Sequence, residues 1–369
     1  MSGSPARYPS SAEPMIVIVT DHWESKYEPG WITRQVAGAL ACEAEVHVVT
    51  EDASPGGTAT DSVFTVHPWG RASSHHSRDG TIAGLRPERI VVVGRRWDDI
   101  TDLTARADVD FGVTSTVLAL AAEWDDAHPT TIAPILGRAR SVMVVTEGGR
   151  AEISSTGLPS SRVHRVGAPM AANPSARSEP DPRVDRTSYL LVHTGVDEGA
   201  ARPENELGQL LRIRFPDQMV AVLHTDAFCV WQGGRVKRSE PVRRSSDMAR
   251  LMAWAHLTVD LQPGRLFARR CIESLLYGTP IVVPHGSRAR EHAERGRGGL
   301  WFTDPTGLVW CVEALLDSAT RNSLGAQGRT YAEAEYGSTD QFIHRVLEAT
   351  GLVTPSTGDR DHQGVRGPG

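Results

Sequence analysis

Residues 264–284, Gly-Arg-Leu-Phe-Ala-Arg-Arg-Cys-Ile-Glu-Ser-Leu-Leu-Tyr-Gly-Thr-Pro-Ile-Val-Val-Pro, constrain the fold of this chain more than any other stretch. Phe267, Cys271, Ile272, Leu275 and Leu276 recur at three- to four-residue spacing, which places them on one face of a short helix and demands a flat apolar partner. Gly278 closes that helix, and Pro280 cannot continue it. Ile281, Val282 and Val283 then form an unbroken apolar run, the pattern of a strand buried on both faces of a parallel sheet. A helix that opens from a Gly-containing loop in such a sheet points unpaired N–H groups outward, which makes its N-terminus a natural anion site.

The same alternation runs along the chain. Strands are expected at 15–20, 45–50, 62–67, 89–94 and 141–146, then at 187–193, 219–224 and 257–261. Helical spacing covers 30–40, 245–255, 266–277 and 307–333, with a last amphipathic piece at 339–349. Residues 69–85 are polar and show neither period, so they read as loop. Strands alternating with helices predict an α/β fold of open parallel sheets covered on both faces. The 369 residues suffice for two domains of ordinary size. Pro174, Pro180 and Pro182 among charges mark 171–186 as a linker. It separates an N-terminal domain over 14–170 from a C-terminal one over 187–335, with a closing helix at 336–352 returning to the first. Residues 1–13 and 353–369, rich in Ser, Pro and Gly, read as disordered.

The order of residues in the second half resembles the C-terminal signature of family 4 glycosyltransferases, which have the two-domain GT-B fold. That signature has a Glu, a Gly-Phe-Gly-like loop, a second Glu eight residues after the first, and Gly-Thr-Pro-Val-Val. Here the second Glu is Glu273, followed by Gly278-Thr279-Pro280-Ile281-Val282, while Arg265 replaces the first Glu and Leu266-Phe267-Ala268 replaces Gly-Phe-Gly. Glu291 stands where the family has its next acidic residue, Ser287-Arg288 replaces a Gly-Gly pair, and Gly299-Leu300-Trp301-Phe302 with Asp304-Pro305 closes the frame. Upstream, Arg162-Val-His-Arg-Val-Gly-Ala-Pro169 resembles the end of the family's N-terminal domain. The resemblance spans about residues 15–352.

It implies two Rossmann-like domains with parallel sheets facing across a cleft, and a nucleotide-diphosphate sugar held mainly by the C-terminal domain. Glu273 is then a ribose ligand; its residue-level alternative is an ion pair with Arg269 or Arg270. Arg265 either grips phosphate in bidentate fashion or marks a lost donor contact, since a guanidinium cannot accept hydrogen bonds. Gly195 fits the family's loop after the first C-domain strand, but the Arg and Lys that grip the diphosphate do not follow it before Arg202. Phe267, Ser287, Arg288 and Glu291 complete the implied donor set, and Gly30 is what remains of a Gly-Gly pair in the N-terminal domain. Trp23, Tyr27 and Trp31 either make a stacking surface for a sugar acceptor or pack against the following helix. No cofactor and no metal are implied, because helix N-termini and arginines balance the diphosphate.

The activity implied is transfer of a sugar, with retention, from a nucleotide-diphosphate sugar to a glycan, lipid or small molecule. The departures at Arg265, at Ser287-Arg288 and after Gly195 sustain an alternative, a GT-B-like protein that has lost turnover and serves as a binding or scaffold subunit. A third reading keeps the fold and the nucleotide sugar but changes the chemistry, as in an epimerase.

The remaining features exclude other classes. There is no Gly-x-Gly-x-x-Gly after a strand, no P-loop and no Gly-x-Ser-x-Gly. Asp108-Val109-Asp110 follows a helical stretch rather than a strand end, and His75-His76 lies in a polar loop and reads as solvent-exposed, so neither is taken as a metal site. A net charge of −6 gives no reason to expect nucleic acid. Cys42, Cys229, Cys271 and Cys311 are scattered and read as reduced thiols rather than a disulfide framework. No apolar run spans a bilayer and no secretion core opens the chain, so a cytoplasmic location is expected, with peripheral membrane contact left open.

Overall fold

The structure, a computed structural model, describes residues 14–20, 23, 28–50, 60–61, 63–68, 75–94, 104, 113–120, 133–177, 189–193, 201–223, 227–232, 235–241, 245–261 and 267–354. Contacts divide the chain into two units, one of residues 1–144, 150–166 and 340–369, the other of 145–149 and 167–339. The expected disorder of 1–13 and of the tail from 355, and the linker residues 178–186, lie outside the described residues.

In chain order the first unit carries β1 (Met15–Thr20), α1 (Glu28–Leu40), β2 (Glu45–Thr50), β3 (Thr60–Asp61), β4 (Phe64–Pro68), α2 (His75–Leu85), β5 (Arg89–Gly94), β6 (Thr114–Ala119), α3 (Ala133–Leu136) and β7 (Ser141–Val144). Helix α4 (Glu147–Ser155), whose first three residues group with the second unit, and β8 (Val163–Arg165) follow. Among the described residues the strands form one sheet of order β3-β4-β2-β1-β5-β6-β7-β8. Only the β3–β4 pair is antiparallel. Val17, Val19, Val92, Val117, Val142 and Val144 share its core with Ile82 of α2 and Ile153 of α4. Continuous β-branched runs supply both faces, as a sheet covered on two sides requires.

The second unit carries β9 (Tyr189–His193), α5 (Ala201–Arg214), β10 (Met219–Leu223), β11 (Ala227–Gln232), β12 (Arg235–Pro241), α6 (Ser245–Trp254), β13 (Leu257–Asp260), α7 (Arg269–Leu276), β14 (Ile281–Pro284), α8 (Arg290–Arg295), β15 (Gly299–Phe302), α9 (Pro305–Leu316) and α10 (Ser318–Tyr336). The sheet order is β12-β11-β10-β9-β13-β14-β15. Five strands are parallel, and β11 and β12 extend the sheet as an antiparallel hairpin. Leu190, Val192, Val259 and Val282 meet Leu211 of α5 and Leu308, Val312 and Leu315 of α9 on one face. Tyr189, Leu191 and Ala221 meet Leu251 and Met252 of α6 on the other. Ala176, 1% exposed, joins this second cluster, so the early part of 171–186 packs on the unit that follows it. Helix α11 (Thr339–Thr350) belongs almost wholly to the first unit, where Arg89 and Ser141 donate to the carbonyls of Thr350 and Ala349 that a helix end leaves unpaired.

The Gly278 turn forms as its sequence dictates. Gly278 has φ +70°, its N–H donates to Leu275 O at 2.7 Å, and Thr279 N–H donates to Ser274 O at 3.0 Å, the paired bonds of a Schellman motif.

Several elements depart from the sequence reading. Residues 75–85 are helical rather than loop, so His75-His76 opens α2; with Gly80 and Gly84 in it and few apolar residues, the helix carries little amphipathic signal. The expected helix over 307–333 is two helices, because Asp317 turns extended and its carboxylate accepts from Thr320 N at 2.8 Å, capping a new start. Strand β6, helix α5 and the β11–β12 hairpin were not expected. Asp108–Asp110 lies outside the described residues.

Candidate functional site

Strand order reverses in the second unit between β9 and β13, where β10 lies to one side and β14 to the other. Open α/β sheets bind ligands beyond the C-terminal strand ends at such a reversal. His193 at the end of β9 is in register with Asp260 at the end of β13, so the chain leaves the sheet at neighbouring points toward the segments holding Gly195 and Arg265. Those two residues lie outside the described residues. Helix α7 follows the second segment directly.

Helix α7 opens in an unusual way. Its N-cap, Ala268, has φ 48° and ψ 44° and supplies no side-chain cap, and the first turn contains no acidic residue. Left-handed backbone costs an L-residue about 1–2 kcal/mol, and such strain is held only where surrounding structure enforces it. Arg269 and Arg270 stand in that first turn, so two cations occupy the positive end of the helix dipole, where anions are normally favoured. Glu273 lies one turn on, its side chain 22% exposed, and accepts from Arg269 Nε at 2.8 Å. Arg270 reaches back to the Met248 sulfur at 3.4 Å. The ion-pair alternative for Glu273 is therefore what the unliganded side chain does.

Phe267 is fully buried, and its ring is not available to a ligand. It packs edge-on against Tyr336 at 5.3 Å and His292 at 6.4 Å, with Tyr331 at 6.1 Å from His292 completing the cluster. His292, also fully buried, donates from Nε2 to the Phe267 carbonyl at 3.2 Å, since a carbonyl only accepts, while its Nδ1 meets the Tyr331 hydroxyl at 3.2 Å. Burial, with Tyr336 alongside, pushes the Tyr331 phenol well above its ordinary value. Phe267 thus anchors the loop that opens α7 rather than touching a donor, and His292 is a positioning residue the sequence did not reveal.

Ser287 is also turned inward. It is 6% exposed, and its hydroxyl accepts from Ala289 N at 3.1 Å in the turn that starts α8. Arg288 reaches Gly148: a Cβ added there would stand 3.2 Å from its Nη1. Glu291 uses both carboxylate oxygens, accepting from Glu147 N at 3.1 Å, Gly148 N at 2.8 Å and Arg295 Nη1 at 3.1 Å. Burial opposes its charge, but His292, the two backbone donors and Arg295 outweigh burial and hold the carboxyl below its usual range. This carboxylate binds the backbone of Glu147 and Gly148, which group with the same unit.

In the first unit, Gly30 lies buried in the first turn of α1 rather than in a loop before it. Trp23 is 7% exposed and packs edge-on against Phe64 at 5.0 Å, with its carbonyl taking a bond from Arg34, so the ring is committed to packing. Trp31 on α1 is half-buried, and Tyr27 lies outside the described residues. Among the described residues no group of three or more His, Cys, Asp and Glu is placed to hold a metal, and no helix is long and apolar enough to cross a membrane. Cys271 and Cys311 are buried thiols outside any disulfide and Cys42 is exposed, with burial pushing the Cys311 thiol up to about 11.

No protein-family model matches the sequence, and none of the curated proteins does. Solved structures do match. The chain is similar to Alr3699/HepE from Anabaena, crystallised in complex with UDP and glucose, at TM-score 0.68 and 11% identity over 92% of this chain and all of that one. It is similar to sucrose-phosphate synthase from Thermosynechococcus elongatus at TM-score 0.64 and 13% identity, over 92% of this chain and 99% of that one. A putative UDP-N-acetylglucosamine 2-epimerase from Listeria monocytogenes also matches, at TM-score 0.55 and 12% identity over 92% and 96%. The chain has the GT-B fold, with parallel-stranded Rossmann-like sheets in both units.

Proposed function

We propose that the protein transfers a sugar, with retention of anomeric configuration, from a nucleotide-diphosphate sugar held by the second unit to a separate acceptor. One observation carries this reading: α7 opens at the sheet's strand-order reversal with a strained, uncapped N-terminus and two arginines in its first turn. The backbone N–H groups of such a helix start favour an anion, and a diphosphate is an anion of the right charge and span. On this reading Glu273, one turn along, accepts from ribose hydroxyls once Arg269 turns toward phosphate. HepE, bound to UDP and glucose, and sucrose-phosphate synthase share this fold, which supports the donor class.

On this reading the bond from the sugar C1 to the diphosphate oxygen breaks on the face where the acceptor oxygen bonds. The acceptor proton passes to an oxygen of the departing diphosphate. The protein's part is orientation and charge stabilisation, which needs no metal and no side-chain base. A cytoplasmic location belongs to this proposal, and the acceptor is a glycan, lipid or small molecule.

The test is titration of the full chain with UDP, GDP, ADP and TDP, with and without magnesium, read by calorimetry and thermal shift. Binding of one of them in EDTA is expected. Glu273→Ala should weaken it by about tenfold or more, because a hydrogen bond to a charged group contributes about 1.5–3 kcal/mol. Absence of binding by any of the four would instead favour the reading of a GT-B-like binding subunit without turnover, which the closed Arg269–Glu273 pair and the committed Glu291 carboxylate support. Binding followed by isomerisation of a free nucleotide sugar would move the protein to the epimerase chemistry.

A further inference from the structure

Among the described residues strand β15 is one edge of the second unit's sheet, and beside it runs a groove of about 490 Å³. Trp301, Trp310, Leu324, Glu294, Arg297 and Gln327 line it, drawn from β15, α9, α10, α8 and the turn after α8. We propose that this groove binds a neutral oligosaccharide. It contains none of the donor-site residues discussed above, and the proposal does not rest on the transfer reading.

The two tryptophans carry the inference. Trp301 is 40% exposed and Trp310 62% exposed, whereas tryptophan is ordinarily well buried and its exposure in one groove marks a contact surface. Trp301 is also held in place. The Arg290 guanidinium carbon lies 4.8 Å from its ring centroid, and Glu294 fixes that guanidinium through Nε to Oε1 at 2.7 Å. His285 adds an edge-on contact at 5.0 Å and also pairs with Arg290. A side chain already immobilised loses little entropy when a ligand stacks on it.

The lining also selects the ligand class. A pyranose offers a flat C–H face to an indole and a rim of hydroxyls to side-chain amides, carboxylates and guanidiniums. Gln327, Glu294 and Arg297 are such partners: toward sugar hydroxyls the Glu294 carboxylate accepts, the Arg297 guanidinium donates, and the Gln327 amide can do either. One carboxylate and one guanidinium leave the lining without excess charge, which suits an uncharged polyhydroxyl chain better than an anionic or cationic one. The β15 edge itself is four residues long and begins at Gly299, a short platform for pairing with a strand of another chain.

The experiment applies the full chain to an array of neutral α- and β-linked hexose oligosaccharides, then titrates the best binder by tryptophan fluorescence. Saturable binding is expected, with Trp301→Ala and Trp310→Ala each weakening it about tenfold or more. Trp310→Ala should leave the thermal midpoint and nucleotide binding unchanged, since that ring is mostly solvent-exposed. Three results would overturn the proposal: no oligosaccharide retained, unchanged affinity in Trp310→Ala, or a dimer that Trp310→Ala dissolves, which would make the groove a contact between copies.

Discussion

Two buried or half-buried titratable groups of the second unit act in separate pH windows. Burial, with Arg321 nearby, depresses the His256 pKa from 6.5 to about 4. The unfolded chain therefore binds a proton that the folded one refuses, so this group's contribution to stability is complete above pH 6.5 and is lost as pH falls toward 4. The imidazole is only half-buried, so solvent screening leaves about 1–2 kcal/mol of the full linkage. Glu291 works lower: its folded pKa lies below the ordinary 4.5, so its contribution persists above that value and disappears on further acidification. Urea midpoints measured from pH 7 to pH 3 separate the two. His256→Gln should flatten the decline between pH 6.5 and 4.5, while Glu291→Gln should lower stability by about 1–3 kcal/mol even at pH 7, because its amide nitrogen would face a backbone donor. A decline of unchanged slope in His256→Gln would remove the role given to that residue. None of this is legible in the sequence. Glu291 meets Glu147 and Gly148, more than 140 positions away, and a carboxylate's partner at that distance leaves no periodic trace.

At the scale of elements, glycines set how closely helix α10 approaches α7 and the turns that precede β14 and β15. A Cβ at Gly325 would stand 2.2 Å from the Gly278 carbonyl oxygen, and one at Gly328 2.8 Å from the Gly298 Cα. Both obstacles are backbone, so the helix cannot yield by a rotamer change alone. Gly325→Ala is expected to cost about 2–3 kcal/mol, measured as the shift in urea midpoint; a variant as stable as the parent would show that the helix moves freely away. Gly278-Thr279-Pro280 was readable because the turn's geometry depends on its own residues. The matching Gly325 and Gly328 were not, since they sit inside an otherwise ordinary helical pattern. The same distinction separates β14, an apolar run, from the β11–β12 hairpin, whose Arg235–Pro241 strand is mostly polar and carries no buried-strand signal. Phe267 illustrates the site's version of this limit. The motif gives its position in the chain, but whether its ring faces a ligand or a core depends on Tyr331, Tyr336 and His292, which belong to other segments.

For the whole molecule, the cysteines allow the proposed donor site to be read without knowing the acceptor. Cys271 lies on α7 two residues before Glu273, and Cys311 lies under the same sheet; both are buried in the second unit, whereas Cys42 in the first is exposed. A thiol reagent should therefore modify Cys42 at once and reach Cys271 and Cys311 only through opening of the second unit. A ligand at 100 times its dissociation constant stabilises the form that binds it by about 2.7 kcal/mol. If a nucleoside diphosphate occupies the α7 N-terminus, labelling of Cys271 and Cys311 should slow by about 100-fold at that concentration, with Cys42 unchanged as the internal reference. Protection of Cys271 alone would confine the stabilisation to α7, so that Cys311 is reached by an opening the ligand does not oppose. Equal rates with and without ligand, in a protein that calorimetry shows to be saturated, would place the nucleotide elsewhere and separate the GT-B fold from the α7 site argued for it.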